Sequence, residues 1–427
     1  MLKLNKTYLY ITITLLVIEI CIALFLKDGF VRYTFGDFLA TILVYCGLKS
    51  ILDLKPITLF IITLAIAYTL EGFQYINLLE RLNLQDYKLL KIILGSHFSW
   101  KDILAYSLGA ITIYLIDKKK LFKRLFITFL ISGLLFLHFY VPRLITEIRN
   151  PLVEIIKGHN AKRVNRNFET NQLKGKQINF KSFDNIELSS YLTYSNLDSV
   201  KGTIILLHGI RSNKESFIDL SKKLSKAGYN SIALDLRAHG KSGGTHCTFG
   251  VKEKNDISEL INVLEKKENI NDNIGIWGQS LGGAIGLQAI GNDKRIKFGI
   301  IESTFSDFKT ITNDYFNYHI GFNVKPLTNY LVSRAGKIAD FAPEDAKPEK
   351  YCTKIKQPIL ITHRKKDRRI NISYAKTNFN KIPSKQKEFI EIKNANHLNV
   401  WKIGGDEYFK RVINFIAKNT INNDTCI

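Results

Sequence analysis

Long apolar runs dominate the first third of the chain. They cover residues 8–26, 38–52, 57–70, 103–116 and 121–141. Roughly 20 apolar residues span a bilayer core, so the first and last runs are long enough by themselves. The three shorter runs favour the same interpretation because they cluster between the two long ones. The pattern predicts an all-α transmembrane domain of about five helices over residues 1–141.

Two carboxylates, Glu19 and Glu71, accompany these apolar runs. An unpaired carboxylate in lipid is costly, so each of them needs a partner. One interpretation pairs them with polar side chains of neighbouring helices or with cations at helix ends. The other makes them an intramembrane ligand or proton site, and the sequence leaves both open.

After residue 173 the pattern changes to short apolar runs separated by stretches with helical spacing. The short runs predict strands at residues 177–181, 186–192, 203–207, 229–236, 274–277, 297–301, 358–362 and 387–392. The helical spacing predicts helices at residues 215–227, 251–267, 282–290 and 408–418. Strands separated by helices indicate an α/β domain with a doubly wound, mostly parallel sheet over residues 173–427. Residues 308–350 interrupt this order, and we expect them to form a small cap over a site.

Composition excludes several classes of protein. With 46% hydrophobic residues, including 27 Phe and 19 Tyr, the chain is not mainly disordered. Five Cys in 427 residues are too few, and odd in number, for a disulfide scaffold, and their spacing is not that of metal ligands. The cysteines therefore predict no metal site, and the serine chemistry described below requires no metal or cofactor.

The chain is strongly basic, with 61 Lys and Arg against 38 Asp and Glu and a formal net charge of +23. No nucleic-acid recognition motif accompanies this charge, so nucleic acid is not an expected partner. Residues 142–172 form a predicted basic juxtamembrane linker. Such a stretch either lies on anionic headgroups of the lipid bilayer or is an ordinary solvated tether.

Membrane orientation follows from the basic loops. The densest short basic loop covers residues 118–124, and the positive-inside rule places it in the cytoplasm. With five spans, the C-terminal domain then lies outside the cell. The cations Arg81, Lys88, Lys91 and Lys101 in the preceding loop oppose this orientation. On balance the pattern favours an extracytoplasmic C-terminal domain.

The main chemical signal is the run Gly278-Gln279-Ser280-Leu281-Gly282, a G-x-S-x-G pattern. It follows a predicted strand and opens a predicted helix, which is the context of a nucleophile elbow. A serine on so sharp a turn has strained backbone angles, and only small neighbours leave room for them. The hydroxyl of Ser280 is therefore the candidate nucleophile.

A serine hydroxyl needs a base that is held by a carboxylate. His397 follows the last predicted strand and is the candidate base, and Asp367 follows the strand before it and is the candidate acid. Both lie just beyond the carboxyl ends of strands, where open α/β sheets bind ligands. Glu302 and Asp307, which follow the strand at 297–301, are rival acids.

Acyl transfer also needs donors for the oxyanion. The backbone N–H groups of Leu281, next to the nucleophile, and of Ile210, after the strand at 203–207, are the candidates. We expect His208 to shape the loop that carries Ile210 and not to react.

In order along the chain, these and neighbouring motifs resemble the α/β-hydrolase superfamily. The matching residues are Leu207-His208-Gly209, Asp235, Arg237, His239-Gly240, Ser242, Gly278 to Gly282, Glu302, Asp367 and His397. The resemblance is strongest to the esterase and peptidase branch that includes the BEM46-like proteins. It implies the fold and a Ser-His-Asp triad. Members of this branch usually have Gly after the His of the acid loop, where this chain has Arg364.

A second resemblance covers the apolar region. Glu19, Asp37, Glu71-Gly72-Phe73-Gln74 and residues 95–106 resemble a small family of bacterial four-span membrane proteins related to the VanZ-like group. This resemblance implies a bacterial membrane protein and no particular chemistry.

These observations predict a serine hydrolase anchored in the bacterial cell membrane by several spans. Its expected substrates are small-molecule or lipid esters, cleaved by Ser280, His397 and Asp367 through an acyl-enzyme. The alternatives are a membrane receptor or sensor with a hydrolase-like interaction domain, and an acyltransferase or peptidase that uses the same triad.

Overall fold

The structure is a computed structural model of the chain. It describes residues 3–25, 34–76, 78–81, 98–118, 122–150, 167–168, 173–270, 273–320, 324–365, 367, 369–392 and 400–420. The chain divides into two compact units. One contains residues 1–136 with 319–322, and the other contains residues 137–318 with 323–427.

The first unit is helical. Its helices are α1 (Lys6–Phe25), α2 (Gly36–Ile51), α3 (Pro56–Tyr75), the short α4 (Leu78–Arg81), α5 (Trp100–Lys118) and most of α6 (Phe122–Phe139). The five long helices coincide with the five predicted apolar runs. The helical character predicted for this region is therefore confirmed.

Polar contacts join three of these helices at one carboxylate. Asp117 of α5 accepts hydrogen bonds at 2.6 Å from Tyr8 Oη of α1, from Tyr45 Oη of α2 and from Lys49 Nζ of α2. Glu71 of α3 is buried, and one of its carboxylate oxygens accepts the backbone N–H of Ser99 at 3.3 Å. This partner is a backbone N–H and not one of the predicted side chains, so both interpretations of Glu71 stay predictions.

Two stretches of the described residues, Pro56–Tyr75 and Ile127–Thr146, are long and apolar enough to cross a membrane. The prediction of about five spans is therefore supported for two of them. Helix α2 has only 16 residues, which is short for a span. The full number of spans stays a prediction.

The second unit contains an α/β sheet. Its strands are β1 (Gly175–Lys181), β2 (Glu187–Thr193), β3 (Thr203–Leu207), β4 (Asn230–Leu234), β5 (Ile274–Gln279), β6 (Phe298–Glu302), β7 (Ile359–Arg364) and β8 (Lys387–Ile392). Its helices are α7 (Val141–Thr146), α8 (Ile218–Lys226), α9 (Glu253–Glu268), α10 (Leu281–Asn292), α11 (Phe308–Ile320), α12 (Lys325–Ile338), α13 (Pro348–Cys352), α14 (Ile372–Lys381) and α15 (Val400–Thr420). All eight predicted strands are present.

The strands lie in the order β1-β2-β4-β3-β5-β6-β7-β8. The pairs β1–β2 and β2–β4 are antiparallel, and the pairs from β4 to β8 are parallel. The register places Leu207 opposite Gly278 and Gln279 opposite Glu302. The carboxyl ends of β3, β5 and β6 therefore meet at one edge of the sheet, which is where the candidate site residues follow.

Both faces of the sheet are buried. Ile205 and Leu207 of β3 enter one apolar cluster, whereas Ile204 and Leu206 enter another. Successive side chains of a strand point to opposite faces, so the unbroken apolar run of β3 is what a strand covered on both sides requires. Helices α11, α12 and α13 are inserted between β6 and β7, in the stretch where the cap is predicted.

The residues that follow α6 pack against the sheet unit. Pro142, Thr146, Ile148 and Asn150 are buried, and Ile148 belongs to an apolar cluster of the sheet. The first nine residues of the predicted linker are therefore part of a folded domain, because Ile148 fills core space. The rest of that linker lies outside the described residues, apart from 167 and 168. Phe168 is buried and stacks on Tyr191, with the ring centroids 4.5 Å apart.

Candidate active site

Ser280 occupies the single-residue turn between β5 and α10. Its backbone angles are φ 53° and ψ −114°, and 6% of its surface is exposed. A non-glycine residue with these angles is strained, and such strain persists only where the surrounding structure imposes it. The strand–turn–helix context predicted from the G-x-S-x-G pattern is present.

The two outer glycines of the pattern have no space for a side chain. A Cβ on Gly278 would lie 2.3 Å from the carbonyl oxygen of Gly282, and a Cβ on Gly282 would lie 2.0 Å from that of Leu207. Both contacts are with backbone atoms, which cannot move aside as a flexible side chain can. These glycines allow the chain to turn tightly and allow α10 to approach β3.

Hydrogen bonds fix the backbone of the turn on both sides. Ser280 N donates to Glu302 O at 2.8 Å, which continues the β5–β6 pairing. The carbonyl oxygen of Ser280 accepts from Thr304 Oγ1 at 2.9 Å and from Ala284 N at 3.1 Å. These bonds account for the strained φ, because relaxing it would break contacts with β6, with the loop after β6 and with α10.

The two candidate oxyanion donors follow neighbouring strands. Leu281 is the first residue of α10, and the N–H groups of the first helical turn have no partner within the helix. They also lie at the positive end of the helix dipole. Ile210 lies in the loop after β3, and β3 pairs directly with β5. Both N–H groups therefore belong to backbone beside the Ser280 turn.

His208 is held by backbone groups on both sides of its ring. Nε2 accepts the N–H of Leu236 at 3.2 Å, so Nδ1 carries the proton and donates to Gly209 O at 2.8 Å. Complete burial lowers the pKa of His208 and keeps the ring neutral. The ring shapes the loop before Ile210, in agreement with the prediction.

Asp367 lies three residues after β7. Its Oδ1 accepts the backbone N–H of Arg369 at 2.8 Å and of Ile370 at 3.1 Å, which orients the carboxylate. Lys365 N donates to Ile392 O at 3.1 Å, so the acid loop begins beside the end of β8. His397 follows β8 by five residues in sequence and lies outside the described residues.

The two rival carboxylates are engaged elsewhere. Glu302 Oε1 accepts from Trp277 Nε1 at 3.0 Å and from Tyr408 Oη at 2.9 Å, and its Oε2 accepts from Gln279 Nε2 at 2.9 Å. Burial raises the pKa of Glu302 to about 7, although these donors act in the opposite direction. Asp307 caps α11 through Thr310 N at 2.8 Å.

A buried ion pair supports the loop after β3, and the sequence alone did not predict it. Lys214 Nζ lies 2.5 Å from Asp235 Oδ2, and Lys214 N donates to Asp235 Oδ1 at 2.7 Å. Lys214 is 2% exposed. In the sequence, the residue that could have pointed to this pair is Gly240. Its φ is +48°, and a Cβ at this position would lie 2.2 Å from the Asp235 carboxylate. A lysine by itself is typical of a protein surface.

Among the residues that the structure describes, no group of three or more His, Cys, Asp or Glu could hold a metal ion. The expectation that the chain uses no cofactor stays a prediction.

The sheet order, the strained serine after β5 and the helices inserted after β6 define an α/β-hydrolase fold for the second unit. A family described as the alpha/beta hydrolase fold matches residues 202–324. The helical region matches a second family, "Protein of unknown function (DUF2809)", over residues 26–110. The predicted relation of this region to the VanZ-like group stays a prediction.

Two relatives cover most of their own length. The Bacillus subtilis protein YqkD is 24% identical over 266 residues, which are 58% of this chain and 84% of YqkD. The Schizosaccharomyces pombe protein bem46 is 25% identical over 250 residues, 58% of this chain and 78% of bem46. The predicted resemblance to BEM46-like proteins is therefore confirmed as a similarity in sequence.

A solved esterase from Pyrococcus furiosus superposes with a TM-score of 0.51. It is 22% identical, and the match covers 60% of this chain and 95% of the esterase. At this identity the likeness shows the fold alone.

Proposed function

We propose that the protein is a membrane-anchored serine hydrolase that cleaves carboxylic esters with Ser280, His397 and Asp367. The observation that carries the proposal is the backbone of Ser280, held at φ 53° between β5 and α10. Strain of this kind is typical of nucleophile elbows.

In the first half of the reaction, Ser280 Oγ attacks the ester carbonyl carbon and its proton passes to the imidazole of His397. The tetrahedral intermediate then loses the alcohol, which takes that proton from His397. An acyl-enzyme remains. Asp367 orients the imidazole and stabilises its protonated form.

In the second half, water attacks the acyl carbon while His397 accepts its proton. The acid leaves as the bond to Ser280 Oγ breaks, and the proton returns to that oxygen. The N–H groups of Leu281 and Ile210 stabilise the oxyanion in both halves. Removing one such donor in other enzymes costs about 10²–10³-fold in kcat.

The exposed apolar surface of the helical region supports the membrane anchor. Along α6, Phe129, Ile131, Leu134 and Phe136 are all about half exposed, with Leu134 at 65%. An apolar surface of this size is unfavourable in water and suits lipid. The anchor keeps the hydrolase domain near lipid, which favours lipid or acyl esters over other substrates.

Labelling with a fluorophosphonate probe tests the catalytic proposal. We expect labelling of the wild-type chain and none of Ser280→Ala. Ser221→Ala is the matched control, because Ser221 is a completely buried serine on α8 and its hydroxyl plays no part in the mechanism. Measuring kcat/KM for a panel of esters, thioesters and peptides then tests the substrate class. We expect kcat/KM to be highest for esters.

Equal labelling of wild type and Ser280→Ala would contradict the proposal, as would the absence of labelling in folded wild type. The domain would then be better described as an interaction module of a membrane receptor or sensor. The anchor is tested separately by alkaline extraction of membranes. Release of the intact chain into the soluble fraction would exclude it.

A further inference from the structure

Residues 141–150, which begin two positions after the end of α6, contact loops at the carboxyl edge of the sheet. We call residues 141–150 the strap. Its Ile148 is buried in the core, and its Asn150 accepts Tyr140 Oη at 2.9 Å and donates to Glu147 at 2.7 Å. The strap therefore has a defined conformation against the domain that it precedes.

Arg149 joins the strap to the loop after β4. Its Nη2 atom lies 2.7 Å from Gly240 O, 2.7 Å from Ser242 O and 3.2 Å from His239 O. Three carbonyl oxygens thus converge on one guanidinium nitrogen. Hydrogen bonds from a charged donor are about twice as strong as neutral ones, so this side chain holds the loop closed.

Arg211 joins the strap to the loop after β3. Its Nη2 donates to Leu144 O at 3.0 Å. Arg211 directly follows Ile210, the proposed oxyanion donor, and has a left-handed φ of 56°. A separate backbone contact joins the strap to the segment between β4 and α9, where Cys247 N donates to Thr146 O at 2.8 Å.

The loop that Arg149 closes also holds the Ile210 loop. Asp235, at the start of the loop after β4, binds both Nζ and the backbone N–H of Lys214. The next residue, Leu236, donates its N–H to His208. The strap therefore acts on Ile210 by a direct route through Arg211 and by an indirect route through Arg149, Asp235 and His208.

We propose that the strap positions the oxyanion loop, with Arg149 and Arg211 as its positioning residues. This inference rests on the proposed function, because it concerns the oxyanion donor of that mechanism. Neither arginine touches the substrate. A displacement of about 1 Å at a catalytic group can cost about 10²-fold in rate, so modest loosening of this loop is sufficient to lower kcat.

The test uses the full chain with Arg149→Ala, Arg211→Ala and the conservative variant Arg149→Lys. A lysine ammonium has three N–H donors for the three carbonyls, so it restores the contact in part. We expect kcat and the rate constant of fluorophosphonate labelling to fall about 10- to 100-fold in the alanine variants, with KM changed less than about threefold. Arg149→Lys should recover most of the loss.

Arg295→Ala is the matched control. Arg295 binds Asp293 and Glu265 in ion pairs at 2.6 and 2.7 Å, and it lies between α10 and β6, at the opposite edge of the sheet. Its loss should lower the melting temperature without changing kcat. If Arg149→Ala does not fold, Arg149→Gln keeps two N–H donors on a shorter, neutral side chain and should give an intermediate kcat.

Unchanged kcat and labelling rate in folded Arg149→Ala and Arg211→Ala would overturn the strap proposal alone. A decrease in kcat that Arg149→Lys does not recover would also overturn it. The same holds for a decrease in kcat equal to that of Arg295→Ala. A wild-type chain without Ser280-dependent labelling would overturn the proposed function together with it.

Discussion

Glu302 offers a direct measurement of what burial costs beside the candidate nucleophile. Its carboxylate is 2% exposed and receives hydrogen bonds from Trp277, Gln279 and Tyr408. The substitution Glu302→Gln keeps the shape and removes the charge. It leaves the candidate triad intact.

The magnitude follows from the pKa of Glu302, which burial raises from 4.5 to about 7. Between these values the folded chain holds a proton that the unfolded chain has lost, so the free energy of unfolding falls as pH rises. The contribution is fully present below pH 4.5 and is lost as pH rises through about 7. A shift of this size corresponds to roughly 3 kcal/mol.

Thermal unfolding of the detergent-solubilised chain at pH 5 and pH 8 measures this contribution, with tryptophan fluorescence as the signal. For a domain of this size 1 kcal/mol moves the melting temperature by about 2–4 °C. From pH 5 to pH 8 we expect wild type to lose about 6–12 °C more than Glu302→Gln. A difference between the two chains that stays constant over this range would refute the reasoning. Glu265→Gln, at a half-exposed ion pair, is the control for removing a surface charge.

Three further substitutions test the site. Gly282→Ala places a Cβ 2.0 Å from Leu207 O, so we expect fluorophosphonate labelling to slow by about 10²-fold or more. Asp235→Asn removes the nearest carboxylate of the buried Lys214 ammonium and leaves the more distant Glu215 at 3.9 Å, so thermal melts should show a loss of about 3–5 kcal/mol. Asp367→Asn should lower kcat for ester hydrolysis by about 10⁴-fold, because the base loses its orienting carboxylate.

Each of these predictions has a result that contradicts it. Gly133→Ala is the control for Gly282→Ala, since a Cβ there meets nothing within 4 Å. Equal labelling rates in the two variants would remove the steric argument. Asp235→Asn with an unchanged melting temperature would show that the ion pair is not needed for stability. An Asp367→Asn variant as active as wild type would direct attention to another acid.

The sequence was most informative where one physical requirement dominated. Strand β3 has the predicted bounds because Thr203 is followed by four consecutive apolar residues, a pattern typical of a strand buried on both faces. The elbow was predictable because a sharp turn restricts residue types at Gly278, Ser280 and Gly282. The helices of the first unit were predictable because long apolar runs favour helices, and the number of membrane spans stays a prediction.

Packing between distant segments left little trace in the sequence. The strap carries the cations Arg143 and Arg149, which is typical of a tether, yet Arg149 binds carbonyl oxygens about 90 residues away. Backbone acceptors have no side-chain signature. Lys214 was missed for a related reason, since a buried lysine is tolerable where partners such as Asp235 surround its ammonium, and these partners are distant in sequence. Helix α15 is interrupted at Gly405, whose φ of 59° is not helical, so the predicted start at Tyr408 lies close to the start of its second part.

Ile148 has a practical consequence for any soluble form of the enzyme. The core of the domain already includes Ile148, which lies 27 residues before Gly175, the first residue of its first strand. A protease that sheds the domain by cutting after residue 150 would remove part of its core and expose an apolar slot. A functional released fragment must instead be cut before the strap. A cut within the last turn of α6 would carry the apolar end of that helix into water.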